Sequence, residues 1–120
     1  VSTEDTLAYG EYLAGPAGHC IECHTPIGEN GHFDFENRLG AGGFGFPGPW
    51  GVSVSRNITS HPVAGIGAWT DEEIKTAITT GVRKDGSQLK PPMGFHYYKN
   101  ISERDLNAIV AYLRSLPPKN

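Results

Sequence analysis

Three stretches of the chain carry apolar residues at helical spacing, and the residues between them follow no period. The first stretch opens with a cap and first-turn acids at residues 2–5 and is stopped by Gly15 and Pro16. Its apolar positions are Leu7, Ala8, Tyr12, Leu13 and Ala14. This spacing predicts an amino-terminal amphipathic helix.

The other two helical stretches have clearer boundaries. Thr70 and Glu73 form a capping box, and Gly81 is a natural stop. Ser102 caps the last stretch and Pro117 ends it. The apolar positions are Ile74, Ala77 and Ile78 in the second stretch and Leu106, Ile109, Val110, Leu113 and Leu116 in the third. These patterns predict three main helices in a single domain over residues 1–120.

The central residues 25–69 show neither helical nor strand periodicity and are rich in Gly, Pro, aromatic and polar residues. A stretch of this length without regular structure is unusual in a compact domain. It becomes reasonable when it wraps around a rigid cofactor. We therefore predict an all-α fold with long loops around a bound group.

The most specific motif lies just after the first helix. Cys20, Cys23 and His24 read C-x-x-C-H, the pattern for covalent haem attachment. The two thiols add to the two haem vinyl groups, and the spacing puts both sulfurs on one side of a helical turn. The imidazole of His24 can then supply an axial nitrogen to the iron. The motif predicts one haem c, attached through Cys20 and Cys23, which carries the chemistry of the protein.

Other interpretations of the two cysteines stay open. A thioredoxin-like redox pair needs a preceding strand, whereas the preceding segment looks helical. A zinc site needs four ligands, and the chain contains 2 cysteines. A disulfide across two residues is strained and leaves His24 unexplained. Covalent haem is the interpretation that uses all three residues.

A second axial ligand is predicted near residue 90. Met93 is the single methionine and follows two prolines, which restrict the approach of a ligand loop. A thioether sulfur opposite histidine raises the reduction potential of a haem. We predict that His24 and Met93 are the axial ligands, and the rival candidates are His32, His61 and His96.

A glycine-rich segment at residues 40–45 matches G-x-G-x-x-G, but not in a dinucleotide-binding context. No strand precedes it, and Pro47 and Pro49 prevent the required helix. The expected explanation is backbone that runs close to a flat cofactor. Phe44, Phe46 and Trp50 are expected cofactor or core contacts.

Composition and charge exclude several classes of function. The hydrophobic fraction of 38% is low for a domain that folds alone, and a buried haem would add apolar surface. The formal charge is -3, with seven acidic residues and no Lys or Arg in residues 1–37. This distribution does not fit a nucleic-acid partner. No apolar run approaches the roughly 20 residues of a membrane span.

In their order along the chain, these motifs resemble those of the class I c-type cytochromes. More narrowly, they resemble the cytochrome subunits of bacterial membrane-bound alcohol and gluconate dehydrogenases. The matching segments are residues 10–13, 20–26, 41–43, 57–59, 65–72, 80–86, 91–93 and 111–117. The resemblance implies a class I cytochrome c fold in which the first and last helices cross beside the haem. Gly10 would permit their close approach, with Tyr112 packed over it.

The resemblance also implies further site residues. Trp69 is expected near a haem propionate, and Asn57 and Arg56 are expected to serve the propionates. His24 and Met93 are again the implied axial ligands.

The expected function is single-electron transfer between redox partner proteins, with no bond made to a substrate. Partners would dock at the exposed haem edge near Cys20, and basic residues at positions 83, 84, 90 and 99 would favour an acidic partner surface. Haem attachment occurs outside the cytoplasm, which implies the periplasm, and the start at Val1 suggests a mature or trimmed product. The alternatives are a haem enzyme or gas-binding protein with a labile Met93, and an excised electron-outlet domain of a larger dehydrogenase or reductase.

Overall fold

The computed structural model describes residues 5–49, 51–89, 93 and 98–119. Within these ranges the chain forms five α-helices, one π turn over Leu13–Ala17 and one two-stranded sheet. In chain order the named elements are α1 (Thr6–Tyr12), α2 (Cys20–Cys23), α3 (Phe35–Arg38), β1 (Gly45–Gly48), β2 (Gly51–Val54), α4 (Asp71–Thr80) and α5 (Glu103–Ser115).

The first helix extends further than its sequence predicted. Asp5 caps α1 by accepting a hydrogen bond from the Ala8 amide at 3.0 Å. The helical backbone then continues through Pro16 as a π turn, in which the Gly18 amide donates to the Leu13 carbonyl at 2.7 Å. Because proline has no N–H to donate, the wider turn keeps the backbone helical without it. The predicted cap residues 2–4 lie outside the described residues.

The predicted boundaries of the second and third helical stretches are confirmed. Thr70 Oγ1 accepts from the Glu73 amide at 3.1 Å, and the Glu73 carboxylate accepts from the Thr70 amide at 2.8 Å. Gly81 ends α4 in the left-handed region, at φ 77°. Ser102 caps α5 by accepting from the Asp105 amide at 3.2 Å.

The first and last helices touch at Gly10. A methyl group built at this position would overlap the backbone oxygen of Ala108 and the Cβ of Tyr112. Only a residue without a side chain permits this distance between the two helices. The predicted close approach of Gly10 to the last helix is therefore confirmed.

The hydrophobic core lies where α1, the π turn, α4 and α5 meet. Its buried members are Ala14, Ile66, Ile74, Ile109, Val110, Tyr112, Leu113 and Leu116. Ile66 comes from the long central loop and is only 6% exposed, so the loop contributes to the core as well as covering it. Among the described residues, no helix has the length and apolar character needed to cross a bilayer.

A small antiparallel sheet interrupts the central region. Strands β1 and β2 pair with Phe46 opposite Ser53, and Gly51 turns the chain at φ 93°. The strands have four residues each, and three of the four positions of β2 are exposed, so the sheet has no continuous buried face and its strands are too short to stand out in the sequence. The all-α, three-helix description is therefore not confirmed, although the three predicted helices are present.

The close contact at Gly10 predicts that a larger side chain at this position destabilises the protein. Gly10→Ala should lower the free energy of unfolding by about 1–3 kcal/mol, because the added methyl overlaps the α5 backbone. Gly15→Ala is the matched control, since a Cβ there meets its nearest atom, Ile21 Cδ1, at an ordinary 3.6 Å. Denaturant unfolding of the two variants measures the difference. Equal midpoints for Gly10→Ala and the parent protein would contradict the packing described here.

Candidate functional site

One large cavity dominates the described part of the molecule. Its volume is about 580 Å³, within the ~300–1,000 Å³ typical of sites for small molecules and cofactors. Much of its lining is apolar, and the residues predicted to attach the haem, ligate the iron and bind the propionates all contribute to it. These residues are Cys20, Cys23, His24, Arg56, Asn57, Trp69 and Met93.

The two cysteines lie on the single turn of α2. His19 starts this turn with a left-handed backbone, at φ 61°, and the His24 amide closes it by donating to the Cys20 carbonyl at 3.0 Å. Both side chains line the cavity, and no disulfide joins them. Burial raises the pKa of Cys20 to about 11, and burial followed by the charge of Glu22 raises the pKa of Cys23.

These raised pKa values bear on the redox-pair interpretation. A thioredoxin-like cysteine needs a lowered pKa to be a thiolate at neutral pH. Here burial shifts both pKa values in the opposite direction, and the chain enters α2 from a π turn rather than from a strand. The structure therefore opposes a thiol redox function for Cys20 and Cys23.

The His24 imidazole is held in one tautomer. Its Nδ1 lies 2.6 Å from the backbone oxygen of Arg56. Because a carbonyl oxygen only accepts hydrogen bonds, Nδ1 carries the proton and Nε2 keeps a lone pair. Burial lowers the pKa of His24, and the bond to Arg56 opposes that shift. A neutral imidazole with a free Nε2 is the form that binds a metal.

The glycine-rich segment supports His24 from behind. The Gly42 amide donates to the His24 carbonyl at 2.6 Å, and a Cβ on Gly42 would overlap the backbone of Arg56. Gly42 also has a left-handed backbone, at φ 77°. None of residues 40–45 lines the cavity, and Gly42 packs against protein backbone. The expectation that this segment runs close to a cofactor stays a prediction.

Of the three aromatic residues expected near the cofactor, Phe46 lines the cavity. Phe44 lies behind it, with ring centroids 4.7 Å apart, and also touches Phe33 at 5.7 Å. Trp50 lies outside the described residues.

A hydrogen-bond network ties the cavity wall to the carboxyl-terminal segment. The Asn57 amide nitrogen donates to the Lys119 carbonyl, and its oxygen accepts from the Thr59 amide at 2.8 Å and the Thr59 hydroxyl at 2.6 Å. Thr59 is fully buried and also accepts from the Lys119 amide at 3.1 Å. The propionate role of Asn57 stays a prediction.

Met93, the second predicted axial ligand, and the rival histidines differ in their position relative to the cavity. Met93 is half-buried and lines the cavity. His32 is exposed and is not part of the lining. His61 is also outside the lining, and its Nδ1 accepts hydrogen bonds from two backbone amides of its own turn. His96 lies outside the described residues.

Two further residues of the lining are anchored by neighbouring elements. Trp69 precedes α4, and its carbonyl accepts from Arg114 of α5 at 2.6 Å. Tyr98 donates its hydroxyl proton to the Gly18 carbonyl at 2.8 Å. Sequence reasoning missed Tyr98 and also missed that Arg83 lines the cavity. No local pattern marked either residue, because both reach the cavity through tertiary packing.

The chain belongs to the cytochrome c family. A sequence model described as "Cytochrome c" matches residues 8–117. The resemblance inferred from the ordered motifs is therefore confirmed. Membership of this family implies electron transfer, iron and a covalently bound haem c.

Several curated relatives are components of bacterial dehydrogenases. The fructose dehydrogenase cytochrome subunit of Gluconobacter japonicus is 36% identical over 108 residues, which are 90% of this chain and 21% of that protein. The alcohol dehydrogenase (quinone) cytochrome c subunit of Gluconacetobacter polyoxogenes is 36% identical over 86% of this chain and 20% of its own length. A nicotinate dehydrogenase component of Pseudomonas putida is 35% identical over 93% of this chain and 9% of its own length. The chain thus spans about a fifth or less of each of these relatives.

The donor set of the cavity fits a haem. One wall presents two thiols from a single helical turn and an imidazole whose Nε2 is free. A thioether from Met93 belongs to the same lining. The remaining surface is rich in apolar side chains, as a porphyrin ring requires: Ile58, Val63, Ile66, Ile74, Ile78, Leu89 and Leu113.

The hydrogen-bond network at Thr59 predicts that substitutions of two equally buried threonines differ in their effect on stability. Thr59→Val should lower the free energy of unfolding by about 1–3 kcal/mol, because it leaves partners of the hydroxyl unsatisfied in the interior. Thr25→Val is the matched control, since Thr25 is equally buried and its hydroxyl accepts from the Gly40 amide at 3.1 Å. Chemical denaturation should show the larger loss for Thr59→Val. A larger loss for Thr25→Val would show that the network does not hold this wall.

Proposed function

We propose that the chain is a single cytochrome c domain over residues 1–120 that carries one electron at a time between partner proteins. It would hold one haem c through thioether bonds to Cys20 and Cys23. His24 and Met93 would be the two axial ligands, and Trp69, Arg56 and Asn57 would serve the propionates. The domain is proposed to act as a carrier and not as an enzyme.

The single observation that supports this proposal most is the set of donor groups that line one cavity. Two thiols, a neutral imidazole with a free Nε2 and a thioether all line the same cavity of about 580 Å³. These are the groups needed for covalent attachment and for two protein ligands. A site built for substrate would instead need an open coordination position.

When bound, the haem supplies the redox chemistry by exchanging one electron between its ferrous and ferric forms. The protein residues contribute orientation and exclusion of water. The bond from His24 Nδ1 to the Arg56 carbonyl would hold the ring in one orientation toward the bound group. The apolar walls from α4 and α5 keep the local dielectric low, which favours the less charged ferrous form.

Partners are proposed to be redox proteins that dock near the exposed haem edge. Lys84 and Lys99 are exposed and would favour an acidic partner surface, an attraction that salt screens. Lys90 lies outside the described residues. We place the protein in the periplasm because covalent attachment of haem to this motif takes place outside the cytoplasm.

The relatives favour a second candidate function of the same site. The matched region makes up 21% or less of each of the three proteins compared above, and two of them are cytochrome subunits of dehydrogenases. We propose as the alternative that the domain is the electron outlet of a larger dehydrogenase or reductase. Both candidates require stable ligation by Met93.

Removal of the proposed thioether ligand tests the carrier function. The oxidised parent protein should show the weak far-red band that arises from charge transfer between methionine sulfur and ferric iron. Met93→Ala should abolish this band and allow the reduced protein to bind carbon monoxide. Absorption spectroscopy with and without carbon monoxide measures both effects.

His32→Ala is the matched control, because His32 was a rival ligand and is exposed outside the cavity lining. It should retain the far-red band and exclude carbon monoxide. If the parent protein lacks the band or binds carbon monoxide readily, the carrier function is refuted. A haem enzyme or gas-binding protein with a labile methionine would then be the better description.

A further inference from the structure

The segment 27–38, which follows the attachment motif, presents apolar side chains to solvent. Ile27 is 47% exposed, Phe35 is 42% exposed, and neither belongs to the hydrophobic core. The backbone that carries them is ordered, because Ile27 pairs with Phe33 in an antiparallel bridge and backbone hydrogen bonds of 2.7 and 3.0 Å close the turn between them. Apolar groups held in place in this way lose little conformational entropy when a partner covers them.

Phe35 is the outermost of four aromatic rings that reach the large cavity. The ring centroids lie 5.5 Å apart for Phe35 and Phe33, 5.7 Å apart for Phe33 and Phe44, and 4.7 Å apart for Phe44 and Phe46. These are contact distances for aromatic pairs, and Phe46 lines the cavity. Electron tunnelling weakens with distance more slowly through packed atoms than across gaps. The aromatic row therefore provides a route between the proposed haem site and an exposed ring.

The surface beside Phe35 is acidic. The segment 27–38 contains three carboxylates, those of Glu29, Asp34 and Glu36, and one arginine. Glu29 and Glu36 are exposed, and none of the three carboxylates takes part in an ion pair between described residues. The ion pairs that lysine and arginine form within the described ranges lie on α4 and α5 instead. Unpaired carboxylates around an apolar centre are complementary to a basic surface with an apolar centre.

Resting on the proposed function, we infer that Ile27, Phe35, Glu29 and Glu36 form an acidic docking surface for a redox partner that is basic around an apolar centre. The ferrous haem gives one electron to the oxidised partner. The iron becomes ferric, and the partner is reduced by one electron. The aromatic row connects the two redox centres while the partner covers the exposed ring of Phe35.

The acidic docking surface differs in sign from the surface proposed at Lys84 and Lys99. Those exposed lysines favour an acidic partner, whereas the carboxylates of the segment 27–38 repel one. Like charges that face each other across an interface suppress the wrong partner. A carrier with two surfaces of opposite charge can therefore distinguish its electron donor from its electron acceptor. This also gives a role to the acidic excess of the amino-terminal third of the chain.

The experiment measures oxidation of the reduced, haem-loaded protein by two small reagents in a stopped-flow instrument. Tris(phenanthroline)cobalt(III) is a cation with apolar aromatic ligands, and hexacyanoferrate(III) is an anion. The double variant Glu29→Gln/Glu36→Gln should lower the second-order rate constant for the cobalt complex by about threefold or more at low ionic strength. The difference from the parent protein should shrink in high salt, and the rate with hexacyanoferrate should not fall.

The double variant Glu72→Gln/Glu103→Gln is the matched control for charge. It also removes two exposed carboxylates, but from α4 and α5. It should lower the rate with the cobalt complex less than Glu29→Gln/Glu36→Gln does. Equal losses in the two double variants would overturn the inference, since only the net charge of the protein would then matter.

Phe35→Leu tests the aromatic row at constant apolar character. It should lower the rate with the cobalt complex by roughly twofold or more, with the salt dependence of the parent protein. Tyr12→Leu is its control, because Tyr12 is 44% exposed on α1 and is not part of the row. A Phe35→Leu rate equal to that of the parent protein would also overturn the inference. Each of these failures leaves the far-red band of the parent protein in place, whereas failure of the proposed function is seen as the absence of that band before any reagent is added.

Discussion

The hydrogen bond from His24 Nδ1 to the Arg56 carbonyl is the interaction on which the site depends. It decides which imidazole nitrogen carries the proton, and thereby leaves Nε2 available as a ligand atom. The Arg56 backbone is itself held on one side by Gly42, which no larger residue could replace. On the other side, Asn57 and the buried Thr59 tie it to the carboxyl-terminal segment. The His24 imidazole is thus oriented by three distant parts of the chain.

The packing of α1 on α5 links the core to the cavity. Gly10 allows α5 to lie close, which brings Leu113 into both the hydrophobic core and the cavity lining. Ile66 and Ile74 belong to both sets as well. A flat apolar cofactor would therefore pack against the same side chains that stabilise the helices. Cofactor binding and folding stability are coupled for this reason.

Several features were predictable because their chemistry is local. The cap at Thr70, the stop at Gly81 and the cap at Ser102 each depend on residues three or four positions apart. The β-hairpin was not predictable, since its strands are short and mostly exposed. The place of Arg83 in the cavity lining was also hidden, because a charged residue in a loop normally faces solvent.

The sequence by itself determined the three main helices, the attachment motif at Cys20, Cys23 and His24, and the family of the protein. Each of these is encoded by neighbouring residues or by the order of short motifs. The tertiary structure alone decided which polar groups share the cavity. His24 and Arg56 are 32 residues apart, and Asn57 and Lys119 are 62 apart. Such pairs form only after helix packing brings separate loops together, so no local pattern in the sequence predicts them.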